Sequence, residues 1–394
     1  MTAGTRSGLL AAAPYSPGLE GVIAGETAVC QVDASGMLLY RGYDIHDLAT
    51  RATFEDVAWL LLRGQYPTSR ELEYMRRELA EQAALPDPVM AAMRLFPADA
   101  HPIDMLRTGV SMLGSFDAEL KDSSREANVR KAVRLTARIG AMVPAAWRVV
   151  RGGETPRCFE EEPSFARRFL TQLNGAQPPD WQVAVLDTVL VLYAEHEFNA
   201  STFAARVTAS TLSDIYAAVT SAIAALKGPL HGGANEEVMN LLRDIGDAEN
   251  AAAWARDKLR RKEKVMGFGH RIYRSGDSRV PAMRDLVSRV GRMVNQPHWA
   301  AICEALEAVM SAEKGLCANV DLYAAPVLHM MGIPTALNTP IFACARTTGW
   351  CAHVIEQLDQ NRLIRPSSRY TGPIRRTIPT AARTEFSCAN PDSV

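Results

Sequence analysis

Across residues 46–361, apolar positions recur at helical spacing in one segment after another, and strand-like alternation is confined to a short stretch before them. That pattern leaves little room for a sheet-based fold. Phe54, Val57, Leu60 and Leu61 share one helical face, and Gly64 and Pro67 close the segment. RELEYMRRELAEQ, PVMAAMRLF, HPIDMLRTGVSMLG, NVRKAVRLTARIGAMVPAAWRVV and FARRFLTQL read as further helices. Residues 181–195 are apolar almost all round, which predicts a helix buried on every side. Asn199 restarts a helix, and Ser213 with Asp214 caps the next. Ala204, Ala205, Ala209, Ala217, Ala218 and Ala222 would let helices approach closely, within a subunit or between two. PAMRDLVSRVGRMV, PHWAAICEALEAVMSAEKG, APVLHMMGI and a long segment ending at Asn361 complete the helical series. The exception is residues 18–45, where Asp33, Ala34, Ser35 and Gly36 form a turn and a small hairpin is expected. Residues up to Ser16 read as a loose leader, Gly152, Gly153 and Pro156 as a loop, and the chain after Pro373 as a polar tail. The expected class is all-α with a minor N-terminal β-hairpin.

A chain of 394 residues can bury a large core across two or three domain-sized units. Its net charge of -1 argues against nucleic acid or a membrane surface as the main partner. No apolar run reaches the roughly 20 residues that span a bilayer. Seven cysteines with no CxxC pair suit free thiols in a reducing compartment, and a cytoplasmic protein is expected.

One stretch stands apart, LKGPLHGGAN at residues 226–235. Gly228 and Pro229 end an alanine-rich helix, the glycine by a left-handed exit, and a second helix starts near Ala234. Gly232 and Gly233 would let a ligand reach the backbone. His231, just before a helix N-terminus, sits where the dipole disfavours imidazolium. The plain alternative is a helix–turn–helix with a surface histidine. Three other stretches pair a histidine or carboxylate with glycine or a helix start: AEHEFNAST with His196, GFGHRIYRSGDSR with His270 and Arg279, and NVDLY with Asp321. Arg346 in CARTTGW and Arg365 in IRPSSRY follow. Each has a duller reading: a core histidine for His196, a loop histidine for His270, an N-cap for Asp321, and structural or solvated arginines. HExxH, GxSxG, phosphate-loop and dinucleotide fingerprints are absent, so no metal site, hydrolytic triad or nucleotide-binding sheet is expected.

GPLHGGAN, GFGHRIY with a downstream arginine, NVDLY, ARTTGW and the late Arg-Pro occur together, in the order and approximate spacing of the citrate synthase family, which the chain resembles over residues 18–373. AEHEFNAST and HPIDMLRTGVSMLG look most like its 2-methylcitrate synthase branch. The resemblance implies a two-domain helical fold: residues 1–229 and 326–394 as a large dimerising domain, and 230–325 as a smaller domain closing over the site. It implies condensation of an acyl-CoA, propionyl or acetyl, with oxaloacetate. Asp321 would be the base, His231 the neutral donor to the thioester oxygen, and His270 the group that polarises the oxaloacetate carbonyl. His196, Arg279, Arg346 and Arg365 would bind oxaloacetate, Arg365 from the partner subunit of a homodimer. Val265, Met266, Gly267, Phe268 and Gly269 would wrap the CoA adenine, and Arg271 and Arg274 would reach its phosphates. CoA enters as co-substrate, with no tightly bound cofactor and no metal. The chain has Asp277, Ser278 and Arg279 where the family often has Asp-Pro-Arg, which predicts a less rigid loop. A silent paralogue that binds CoA or a partner is the alternative.

Overall fold

Caps written into the sequence set many of the helix boundaries. The computed structural model describes residues 15–153, 162, 164–273 and 276–377. Among them the helices are α1 (Ile45–Arg51), α2 (Phe54–Arg63), α3 (Ser69–Glu81), α4 (Asp87–Met93), α5 (Pro102–Gly114), α6 (Arg125–Val149), α7 (Phe165–Asn174) and α8 (Asp180–Tyr193). They continue with α9 (Ala200–Ser210), α10 (Ile215–Leu226), α11 (Ala234–Ile245), α12 (Ala248–Arg260), α13 (Val280–Met293), α14 (His298–Lys314), α15 (Val320–Met330) and α16 (Asn338–Asp359). Thr53 and Thr68 close capping boxes on α2 and α3. Asn199 caps α9 and Asp214 caps α10, as their residue types predict.

The sheet is shorter than expected and has a third strand. β1 (Cys30–Val32), β2 (Leu38–Tyr40) and β3 (Tyr43–Asp44) pair antiparallel in that order. Residues 20–27 form no strand, and Gly21 there and Gly18 just before adopt positive φ. Arg41 at φ 48° and Gly42 at φ 87° make the tight β2–β3 turn, whose twist suits a two-residue hairpin.

The core is built around α16, buried along most of its length and packed by α2, α6, α8, α9 and α10. Ala205, Ala209, Ala218 and Ala222 are buried, and α9 and α10 pack closely on each other within the chain. The first half of α8 is only partly covered, so it is not buried all round as its composition suggested. Helices α11 to α15 pack mainly on one another, α12 on α14 and both α11 and α13 on α15. Inside α15, Pro326 has no N–H for the Leu322 carbonyl, and the Cys303 thiol donates to that carbonyl instead at 3.4 Å.

The described residues up to Leu363 form one unit, and those from Ile364 onward form a second, short and largely exposed one. No helix among the described residues is long and apolar enough to cross a membrane. The leader before Tyr15, Pro156, Arg274 and the tail beyond residue 377 lie outside the described residues.

Candidate active site

The turn between α10 and α11 delivers His231, though not by the expected glycine exit. Gly228 has no left-handed φ. Instead the Gly233 N–H returns to the Leu226 carbonyl at 3.3 Å. A Cβ on Gly232 would lie 2.6 Å from the Leu226 side chain, and one on Gly233 2.7 Å from the Lys227 carbonyl. The two glycines are therefore needed first for packing against the end of α10. This turn opens on a cavity of about 1350 Å³. His196, His231, His270, Asp321, Arg279, Arg346 and the loop 265–269 all line it.

All three histidines are neutral near pH 7. Burial, with the Arg346 charge second, pushes His231 down to about 3. Its Nε2 accepts the Ser201 backbone N–H at 3.3 Å and lies 2.8 Å from Ser201 Oγ. With Nε2 accepting, the ring proton sits on Nδ1. Burial and then Arg279 push His270 down to about 4. Its Nδ1 accepts the backbone N–H groups of Ile272 and Tyr273 at 3.1 and 3.2 Å, so its proton lies on Nε2. His196 is driven well below the usual histidine range by burial, Arg279 and His270. Its Nε2 lies 3.0 Å from the Tyr273 hydroxyl, and its ring stands edge-on to His270 with centroids 4.8 Å apart. The bend that presents it passes through Glu197 at φ 55°, a strained conformation for a residue with a side chain.

Asp321 is in the first turn of α15 but does not cap it. Asn319 is the cap, accepting the Asp321 N–H at 3.1 Å. Burial pushes Asp321 up to about 6 against the opposing pull of Arg279. Its carboxylate accepts from the Asn235 amide at 3.4 Å, and Asn235 is held in turn by Asn338 at 2.9 Å and by the Tyr193 hydroxyl. Asn235 lies four residues beyond His231, so one short stretch carries the histidine and holds the carboxylate.

The arginines are buried differently. Arg279 forks onto Asp277 through Nε at 2.9 Å and Nη2 at 2.7 Å. Asp277 also accepts the Val320 N–H at 3.1 Å, which ties the arginine to the start of the helix carrying Asp321. Burial works against the Asp277 charge, and the Arg279 guanidinium more than offsets it, holding the carboxyl below its ordinary range. Asp277→Ala strands a buried guanidinium, so it is expected to destabilise the fold by about 3–5 kcal/mol. A urea midpoint unchanged from wild type would show that Arg279 needs no partner. Arg346 donates through Nε to the Tyr193 carbonyl at 2.7 Å and lies over the Phe342 ring at 4.6 Å. Its Nη2 is buried with no hydrogen-bond partner. An unpaired buried cation nitrogen is costly, and a carboxylate in the cavity would relieve it. Arg365 is exposed and belongs to the C-terminal unit.

The loop 265–269 is pinned to the lead-in of α15. Gly269 N–H donates to the Cys317 carbonyl at 2.9 Å, and Asn319 N–H donates to the Gly267 carbonyl at 2.9 Å. Gly267 has φ 88°, and a Cβ there would lie 3.2 Å from Leu322 and Val238. Some of the backbone that the glycines were expected to expose is thus used internally. Arg271 is exposed, at 3.1 Å from the Gly18 carbonyl and 3.9 Å from Glu20.

Ser201, Asn235, Tyr273 and Asp277 all lie inside the sequence motifs but had no role assigned from them. Their types are common in turns and caps, and only the partners they meet far along the chain distinguish them.

A family model described as citrate synthase, C-terminal domain, matches residues 18–367. Citrate synthase 2 of Bacillus subtilis is 45% identical over 357 residues, 90% of this chain and 95% of that protein. The 2-methylcitrate synthase of Shewanella oneidensis is 45% identical over 368 residues, covering 93% and 97%. Among solved structures, the Thermoplasma acidophilum citrate synthase in ternary complex with carboxymethyl coenzyme A and oxaloacetate superposes with a TM-score of 0.87 at 32% identity, covering 94% of this chain and all of that one. The helical fold, the motif order and these matches agree over nearly the whole length: the chain belongs to the citrate synthase family.

Proposed function

We propose that this enzyme condenses a short-chain acyl-CoA with oxaloacetate and water, releasing citrate or 2-methylcitrate and free CoA. The observation that carries the reading is a single cavity holding a carboxylate raised to about 6, histidines neutral at pH 7 and two buried arginines. The carbon beside a thioester is a weak acid, so a carboxylate needs help to deprotonate it. Asp321 takes the proton while His231 donates a hydrogen bond to the thioester oxygen, where charge develops. The new carbon nucleophile attacks the oxaloacetate carbonyl, polarised by the N–H on Nε2 of His270, which then gives that proton to the new alkoxide. Arg279, Arg346 and His196 hold the dicarboxylate, and loop 265–269 takes the adenine end of CoA. Hydrolysis of the resulting thioester then releases CoA.

Two further elements belong to this reading. Residues 230–325 close over the large domain formed by 1–229 and 326–394, which excludes water and spares the acyl-CoA from hydrolysis. The enzyme is a homodimer, and Arg365 completes the partner's oxaloacetate site; its exposure in its own chain supports that role. A cytoplasmic setting suits the free thiols among the described residues.

Propionyl-CoA is the favoured acyl donor, from the likeness of AEHEFNAST and HPIDMLRTGVSMLG to the 2-methylcitrate branch. The two donors differ by one methylene, worth only about 1–3 kcal/mol in a pocket, so acetyl-CoA is also used. A thiol-release assay with oxaloacetate and each acyl-CoA, compared as kcat/KM, tests both points. CoA release from neither would leave a silent binding protein.

The pH profile is a separate check. Asp321 must be ionised to act as base, so kcat/KM should fall on the acid side with a midpoint near pH 6. The low-lying His231 and His270 stay neutral throughout that window. A flat profile from pH 5 to 8 would remove Asp321 from the role.

A further inference from the structure

Ser278 sits where a proline would have no hydroxyl to offer. Its Oγ lies 3.2 Å from the hydroxyl of Tyr273, which lies 3.0 Å from Nε2 of His196. Tyr273 is 5% exposed. Its ring stands edge-on to His196, centroids 5.4 Å apart, and tilted against His270 at 4.4 Å. One tyrosine therefore touches both histidines. A phenol carries one proton and can turn it either way in the ring plane, so a second partner decides which way it points. Ser278 is that second partner.

The flanking residues make the hydroxyl separable from the fold of the loop. Asp277 and Arg279 are locked by their own ion pair, and Asp277 is bound to the Val320 N–H. The backbone at 278 is thus held from both sides without help from the serine side chain. We propose that Ser278 is a positioning residue for oxaloacetate: acting through the Tyr273 hydroxyl, it fixes the ring of His196 in its binding orientation. It touches no substrate itself. The inference rests on the reading of His196 as an oxaloacetate-binding residue.

Oxaloacetate binding to the full-length enzyme, measured by titration calorimetry without acyl-CoA, gives the direct test. Loss of one hydrogen bond in the chain predicts that Ser278→Ala weakens oxaloacetate binding about three- to tenfold. Its kcat and its KM for acyl-CoA should stay within about twofold of wild type, since no group at the thioester is disturbed. Ser278→Thr keeps the hydroxyl and should bind as wild type does. Ser278→Pro stiffens the loop without a hydroxyl and should match the alanine variant. Tyr273→Phe should weaken binding as well, and adding Ser278→Ala to it should change nothing more, because both act through one hydroxyl. Unchanged affinity in Ser278→Ala, wild-type affinity in Ser278→Pro, or additive losses in the double variant would each overturn the proposal. Wild-type protein that binds oxaloacetate but releases no CoA would sink the condensation reading and leave this one standing.

Discussion

Asp321→Asn should lose about 10³-fold in CoA release, within the range contributed by a general base, while binding oxaloacetate as the wild type does. The asparagine keeps an oxygen to accept from Asn235, so the local packing survives and only the base is removed. In the proposed arrangement oxaloacetate meets Arg279, Arg346, His196 and His270, whose hydrogen-bond partners are Asp277, the Tyr193 carbonyl, Tyr273 and backbone N–H groups rather than Asp321. Thiol release in single turnover and calorimetric oxaloacetate binding separate the two effects. Turnover within tenfold of wild type would take the proton abstraction away from this residue.

The same variant carries a stability signature of opposite sign. In the folded chain Asp321 holds its proton up to about pH 6, against 3.8 for a free side chain. Between those values the native state binds more protons than the unfolded chain, so stability falls as pH rises through the window. At neutral pH the ionised carboxylate therefore costs stability, and Asp321→Asn should be more stable than wild type by about 1–3 kcal/mol, the lower part of that range if water in the cavity solvates the charge. The advantage should fade below about pH 4, where the aspartate is protonated in both states. Melting curves at pH 7.5 and pH 4 would show it. A variant less stable than wild type at both would mean that the carboxylate is well solvated or paired.

His231→Ala should lower kcat by about 10²–10³-fold, the size seen when one donor to a developing oxyanion is removed. Oxaloacetate binding should hardly change. Some stability is lost as well, about 1–2 kcal/mol, because Ser201 loses the acceptor of its backbone N–H. The informative experiment joins the two variants. If Asp321 and His231 act on the same proton transfer, Asp321→Asn adds little to His231→Ala, since residues that act as a unit are strongly non-additive. A double variant whose losses multiply would place the two in different steps.

Local sequence carried the class and the parts. The helix starts at Asn199 and Asp214 follow from residue type and spacing alone, as does the break before His231. The order of the motifs made the family legible, because those short runs hold the cavity-lining histidines, aspartate and arginines together with the glycines that let the backbone pack around them. Less legible was the sheet, where the glycines in residues 18–25 interrupt what alternation suggests, and the exit from α10, which is settled by contact with Gly232 and Gly233 rather than by φ at Gly228.

The chemistry needed the tertiary structure. Nothing in GFGHRIY says which nitrogen of His270 carries the proton; two backbone N–H groups that fold back onto Nδ1 decide it. Burial raises the Asp321 carboxyl to about 6, and Asn235, 86 residues earlier in the chain, is what holds it. Arg346 looks like any arginine until the fold buries Nη2 without a partner. Helix formation depends on neighbours within a turn or two, which a sequence displays directly. Proton affinity and anion affinity depend on water excluded and charges gathered from distant segments, and those exist only once the chain has folded.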